Sequence, residues 1–169
     1  MSGATLSLKG RALRYLSARE HSRSELARKL ARHSEEADEV ERVLDELTAK
    51  GWLSAERFVE SVVHRRAERF GAARIRQELQ QHGIDPIESA AALDGVDAES
   101  AAALDALRQS EPERAQAVWQ RRFGTPPTTP AERAKQMRFL AGRGFSTEVI
   151  RRVMSQLPPG TLDTPDDLD

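Results

Sequence analysis

The chain contains no cysteine, so disulfides, thiolate nucleophiles and cysteine zinc sites are excluded. Aromatic residues make up 5% of it, too few for a platform on which nucleic-acid bases stack. The formal net charge is -1, which supplies no global attraction to nucleic acid or to a membrane. No apolar run approaches the roughly 20 residues needed to span a bilayer, and the first residues lack the apolar core of a secretory signal. The expectation is a soluble, cytoplasmic protein. No alternating apolar pattern bounded by turn residues marks a strand. A glycine-rich phosphate loop, a nucleophile elbow and a His-Glu-x-x-His pair are also missing from the sequence. The chemistry of an enzyme is therefore not expected, nor is a cofactor or a resident metal.

What remains is a helix-forming mixture. Charged residues are 31% of the 169 positions, mostly Arg and Glu among many Ala and Leu, a composition that favours helix. A short pattern occurs three times: Leu26-Ala-Arg-Lys-Leu30, Ile75-Arg-Gln-Glu-Leu79 and Gln136-Met-Arg-Phe-Leu140. The second copy runs on to Gly83-Ile84 and the third to Gly144-Phe145. A helical turn, a glycine and an apolar residue read as a helix and its stop. Self-similarity at tens of residues indicates a tandem helical array. Arrays of that kind present surfaces to partners.

Apolar residues at helical spacing place the elements. Ala12, Leu13, Tyr15 and Leu16 mark a first helix from Lys9 to Arg19, and Ser22 or Ser24 caps the next, with Leu26 and Leu30 inward. Val40, Val43, Leu44 and Leu47 stripe a third, from Ala37 to Ala49, which Gly51 stops; Trp52 and Leu53 are expected to pack back. Ser54 caps a helix carrying Phe58, Val59 and Val62, Gly71 breaks it, and Ile75 and Leu79 follow. Asp85-Pro86 opens another helix with Ile87, Ala91 and Leu93 inward. Ala98 to Ala106 is an alanine-rich helix, then Ala115, Val118, Trp119 and Phe123 form a stripe. Gly124 to Pro130 reads as a loop, Ala131 to Arg143 as a helix with Met137 and Leu140 inward, and Val149 to Met154 as the last helix after Ser146. The expected fold is all-α: three tandem three-helix repeats over residues 9–54, 55–96 and 97–157. The Pro-rich loop at 124–130 is an insertion in the third. The acidic segment 158–169 is expected to be disordered.

Charge is unevenly spread. From Arg57 to Arg76 there are six Arg and two Glu, whereas Asp85 to Arg114 holds eight acids and two Arg, and Asp163 to Asp169 adds four Asp. The candidate binding residues are the basic ones of the second and third repeats: Arg65, Arg66, Arg69, Arg74, Arg76, Lys135, Arg138, Arg143 and Arg151. Arg121, Arg122, Arg133 and Arg152 join them if the last helices pack together. Guanidinium forks match carboxylates and phosphates with two parallel hydrogen bonds. Trp119 and Phe145 are candidates for apolar docking. Glu60 and His64 stand four apart on one helix face, but two ligands do not make a metal site, and an ion pair is the simpler reading.

The first repeat alone resembles a winged helix-turn-helix, through Ser24 to Leu30, Val40 to Leu44 and Gly51-Trp52-Leu53, which would make the protein a DNA-binding transcription regulator. Against it, the third helix carries Asp38, Glu39, Glu41, Asp45 and Glu46, which phosphates would repel, and a helical pattern follows Leu53 where a β-wing belongs.

A broader resemblance covers residues 9 to 157. Gly51-Trp-Leu-Ser-Ala-Glu-Arg-Phe58-Val59 leads into an Arg-rich helix, then Gly71-x-x-x-Ile75-x-x-Glu78-Leu79-x-x-x-Gly83-Ile84. Later comes Lys135-x-x-Arg138-Phe139-Leu140-x-x-Arg143-Gly144-Phe145-Ser146-x-x-x-Ile150. In order and spacing this resembles the RecX family of regulators of the RecA recombinase. The resemblance implies an elongated, curved molecule without catalytic residues; a monomer is expected. It implies binding to RecA and to the RecA–DNA filament; non-specific contacts to DNA phosphates are expected of the basic residues. The implied outcome is inhibition of recombinase, ATPase and co-protease activities, and so modulation of recombinational repair and the SOS response. The chain departs from the family where an acidic pair usually precedes the Phe of the second repeat, since Ser54-Ala55 stands there.

Overall fold

The computed structural model describes residues 6–84 and 98–158. Among them the regular elements are nine α-helices and no strand: α1 (Leu8–Ala18), α2 (Arg23–Leu30), α3 (Ala37–Ala49), α4 (Ala55–Arg66), α5 (Ala72–Gln81), α6 (Ala98–Gln109), α7 (Glu111–Arg122), α8 (Pro130–Ala141) and α9 (Thr147–Gln156). The helix expected to open at Asp85-Pro86 and the acidic segment from residue 159 lie outside the described residues.

Helix starts follow the serines and threonines. Ser7, Ser22, Thr129 and Ser146 each accept a hydrogen bond from a backbone N–H of the first turn that follows, and the Ser54 hydroxyl takes the N–H of Arg57 at 3.1 Å. Each satisfies a donor that the helix itself leaves orphaned. Pro130, expected as the end of the loop, is instead the first residue of α8. Its missing N–H costs nothing at that position, and its fixed φ is already helical.

Helix stops follow the glycines. Gly51, Gly83 and Gly144 have φ of +66°, +76° and +81°. In each case the next N–H reaches back five residues: Trp52 to Leu47 at 2.9 Å, Ile84 to Leu79 at 3.0 Å and Phe145 to Leu140 at 3.3 Å. This is the left-handed helix ending in which the terminal carbonyls are capped by the reversing chain.

The chain forms two compact units: residues 1–62 with 77–103, and residues 63–76 with 104–169. Helices α4 and α5 therefore each contribute to both. In the first unit, Leu8, Ala12, Leu26, Leu30, Val40, Leu44, Leu47 and Leu53 make one buried cluster from α1, α2 and α3. Trp52 does not join it and is 45% exposed. Its ring lies 5.9 Å from the Lys9 ammonium and 5.3 Å from that of Lys50, an arrangement that suits an aromatic face in water.

In the second unit, α7, α8 and α9 enclose Ala115, Val118, Trp119, Leu140, Phe145, Ile150, Val153 and Met154. Gln136 is buried here, at the position that Leu26 and Ile75 hold in the other copies of the repeated pattern. Its Oε1 accepts from the Trp119 indole N–H at 2.8 Å, so a polar side chain is tolerated because it meets a donor with no other outlet. Trp119 and Phe145, expected as docking residues, are 3% and 4% exposed. They are core residues and cannot reach a partner.

Candidate functional site

The two units differ in the sign of their charge. Residues 1–62 and 77–103 hold eleven Lys and Arg against seventeen Asp and Glu, a net of -6. Residues 63–76 and 104–158 hold fifteen against six, a net of +9. Segment 159–169 carries four Asp and no basic residue. A near-neutral chain thus contains a strongly basic body. All nine candidate residues fall in that second unit.

Their placement differs in detail. Arg65 and Arg66 close α4 and are exposed, with the Arg66 guanidinium 5.8 Å from the Phe70 ring. Arg74 is exposed and Arg76 half-buried on α5; Lys135 and Arg138 are exposed on α8, and Arg151 on α9. Arg69 and Arg143 converge, together with Arg121 and Arg122, on an open cleft of about 210 Å³ that Glu68, Val118 and Phe139 complete. The other seven candidates do not line it.

The cleft is held in shape by aromatic faces and backbone carbonyls. The Arg143 guanidinium lies 3.6 Å from the centre of the Phe139 ring. Arg122 sits 5.9 Å from the same ring and 5.5 Å from Phe123, and the two rings meet edge to face at 5.0 Å. Arg121 donates to the Glu68 carbonyl at 2.5 Å. A guanidinium stacked on a ring keeps its N–H edge free for a second plane of contact. Among the described residues, none of these four arginines forms an ion pair with a carboxylate within 4 Å. Three arginines of the first unit are paired. Arg19 bonds Glu25, Arg23 bonds Glu41 and Asp45, and Arg57 bonds Glu20.

Two residues that the sequence did not single out fix the turn bearing Arg69. Arg114, half-buried on α7, donates to the carbonyls of Ala67 and Phe70 at 2.8 Å each and to that of Leu107 at 2.6 Å. Burial lowers its pKa against the pull of Glu111 and Glu113. Glu111, 6% exposed, accepts the Ala72 N–H at 2.9 Å. A cation thus sits at the carbonyl end of α4 and an anion at the amide end of α5, the signs that helix termini favour. Only the identity of α7's first turn, Glu111-Pro-Glu-Arg114, hinted at this. Nothing in it distinguishes a tertiary clamp from an ordinary acidic helix start.

Among the described residues, no group of three or more His, Asp or Glu side chains is arranged to hold a metal ion, and no helix is long and apolar enough to cross a membrane. No β-wing stands after Leu53, where α4 begins at Ala55.

The architecture is that of a tandem array of three-helix units. Family comparison matches three domains: the first three-helix domain of RecX over residues 9–47, the second over 56–93 and the third over 109–154. The third match takes in α7, α8 and α9, and most of α6 falls between the second and third. The regulatory protein RecX of Leptothrix cholodnii is 58% identical over 149 residues, covering 88% of each chain. That of Ralstonia nicotianae is 56% identical over 149 residues, 88% of this chain and 87% of the relative. The crystal structure of RecX from Lactobacillus salivarius superposes with a TM-score of 0.69 at 20% identity, covering 89% of this chain and 94% of that one. The chain belongs to the RecX family.

Proposed function

We propose that this protein binds RecA and RecA–DNA filaments in the cytoplasm and inhibits their ATPase, recombinase and co-protease activities. The observation that carries the reading is the net +9 of residues 63–76 and 104–158, in a chain whose total is -1. Family membership supplies the direction. A body of that charge suits a filament groove, where acidic protein surface and DNA phosphates lie side by side, and its attraction is sequence-independent. Arg65, Arg66, Arg69, Arg74, Arg76, Lys135, Arg138, Arg143 and Arg151 supply the contacts. Repeated units on a helical lattice gain from linkage, because each contact after the first is effectively intramolecular. Bridging neighbouring RecA subunits hinders the subunit movement that hydrolysis requires.

The test is ATP hydrolysis by preformed filaments of a cognate RecA on single-stranded DNA while the protein is titrated in. Loss of hydrolysis well below one molecule per RecA supports action at filament ends or by disassembly. Loss near equal ratios supports groove coating. No effect, with helicity intact by circular dichroism, overturns the reading. A variant carrying Arg69→Glu, Arg138→Glu and Arg143→Glu is expected to inhibit less while staying helical. Full inhibition by it would move the contact away from these residues.

A further inference from the structure

Three stretches of the second unit meet at one cleft. Glu68 and Arg69 come from the turn after α4, Arg121 and Arg122 from α7, Phe139 from α8 and Arg143 from the turn that ends it. Each stretch is fastened by contacts of its own. The Arg114 guanidinium holds the first turn through the carbonyls of Ala67 and Phe70. Arg121 donates to the Glu68 carbonyl, and the Gly71 N–H donates to the Arg143 carbonyl at 2.9 Å. The guanidinium groups therefore converge from a fixed frame, and little order has to be imposed when a ligand arrives. With four arginines and Glu68, the lining carries a net charge of +3.

Phe139 adds a plane to that charge. Its ring backs the Arg143 guanidinium at 3.6 Å, and Arg122 lies 5.9 Å from the same ring. A planar guanidinium backed by a ring is weakly hydrated. It offers its edge to phosphate oxygens and its outer face to another flat group. The cleft volume, about 210 Å³, falls short of the roughly 300–1,000 Å³ that encloses a drug-sized ligand. It has room for a short phosphate chain, with an attached base outside on the guanidinium face. A nucleic-acid strand spreads its charge at one phosphate per about 3.4 Å of rise. An oligophosphate shares one oxygen between neighbouring phosphorus atoms, and so brings more charge into a cleft of this size. Glu68 adds an acceptor for a sugar hydroxyl or a base N–H.

We propose that the cleft is a binding site for a nucleoside triphosphate, with Arg69, Arg121 and Arg122 on the phosphates and the base stacked on Arg143. The inference goes beyond the RecA reading and does not rest on it. Arg69 and Arg143 also belong to the proposed filament contact, so a bound nucleotide competes with the filament for them.

Isothermal titration of the full-length chain with ATP, without RecA or nucleic acid, tests the site and leaves the proposed function untouched. One saturable site is expected, with inorganic phosphate at least about tenfold weaker. Arg69→Gln with Arg122→Gln is expected to weaken ATP at least about tenfold, with circular dichroism unchanged. Arg133→Gln with Arg152→Gln removes the same charge from exposed positions of the same unit outside the cleft, and should leave ATP affinity within about twofold. Arg143→Lys keeps the charge and loses the plane, so it should weaken ATP more than inorganic tripolyphosphate. Equal weakening by the two double variants overturns the proposal, since net charge alone would then account for binding. Equal weakening of ATP and tripolyphosphate by Arg143→Lys overturns the placement of the base. Failure of millimolar ATP to saturate the chain overturns the site; if a thymidine oligonucleotide then binds through Arg69 and Arg122, the cleft holds a nucleic-acid strand instead.

Discussion

Gly71 and Gly144 meet backbone to backbone. A methyl group built on Gly71 would lie 2.2 Å from the Gly144 carbonyl oxygen. The Gly71 N–H donates to Arg143 O at 2.9 Å and the Ala73 N–H to Gly144 O at 3.3 Å. The start of α5 is thereby tied to the end of α8, and with it Arg69 to Arg143.

Substitution at these glycines is therefore expected to be costly. Gly71→Ala sets a methyl against immobile backbone, and overpacking of that kind costs about 1–3 kcal/mol. Gly144→Ala combines a clash at 2.7 Å with the Arg74 Cβ and a φ of +81°. Gly51→Ala serves as the control, because its φ is +66° but nothing lies within 4 Å; it should lose only the about 1–2 kcal/mol of a left-handed side chain. Urea unfolding of the three variants ranks them, and a Gly71→Ala as stable as wild type would show that the contact gives way.

Arg114 and Glu111 make a second test of the same turn. Arg114→Ala leaves the carbonyls of Ala67 and Phe70 without the side-chain donor that serves them, and each group so orphaned costs about 1–3 kcal/mol; the Leu107 carbonyl keeps the Ser110 hydroxyl at 3.4 Å. Arg114→Lys keeps the charge but has a single ammonium to offer, so it should fall between wild type and Ala. Hydrogen exchange at Ala72 should quicken in Glu111→Gln. Unchanged exchange there would mean that the carboxylate does not protect this amide.

Trp119 and Gln136 form a buried pair whose value a double-mutant cycle measures. Gln136→Leu restores the apolar residue of the other repeats yet strands the indole N–H, and the expected loss is about 1–2 kcal/mol. In a Trp119→Phe background the same change should cost less. Additive losses would indicate that the 2.8 Å hydrogen bond contributes nothing to stability.

His21 gives the fold a pH response. It is 2% exposed, its Nδ1–H bonds the Arg19 carbonyl at 2.9 Å, and its Nε2 accepts from Lys29 at 2.7 Å. Burial lowers its pKa below the ordinary 6.5; the Arg19 carbonyl opposes this, Arg19 and Lys29 add to it, and Glu25 works against it. The folded state prefers the neutral ring, so the unfolded chain takes up the proton first. Stability is full above about 6.5 and declines as pH falls through the lowered folded value. Beside it, burial raises the Glu25 pKa, but hydrogen bonds from Arg19 and Lys29 outweigh burial and hold it at about 2. Its contribution is present above about 4.5 and is lost only in stronger acid. The melting temperature should fall from pH 7.5 to pH 5.5, and His21→Asn, which can still donate to Arg19, should flatten that decline. An identical decline in the variant would assign it to other groups.

Helices and their ends were legible because each is a local event. Apolar spacing located the stripes of α2, α3 and α9, and the residues Ser22, Ser146, Gly51, Gly83 and Gly144 act on their immediate neighbours. Pro130 was misread because proline breaks a helix interior yet begins a helix well, and only the capping Thr129 distinguishes the two. Trp52, Trp119 and Phe145 were misassigned between surface and core. A large aromatic suits either place, and the choice depends on which neighbours the fold delivers. The cleft could be anticipated only in part: Arg69 and Arg143 are visible as basic residues, but their approach depends on the Gly71–Gly144 contact and on Arg114, which act across 44 to 73 positions of chain. The concentration of charge was diluted in the linear sequence for the same reason, since the basic unit is built from two separate stretches.

That discontinuity also orders events in time. Residues 63–76 leave the ribosome long before Arg143 and Gly144, whose carbonyls they must bond. Until then their arginines have no docking place, and joining them closes a loop of some seventy residues whose entropic cost is felt in the rate more than in the final stability. The nascent chain therefore carries an unassembled cationic stretch until Arg143 and Gly144 have emerged.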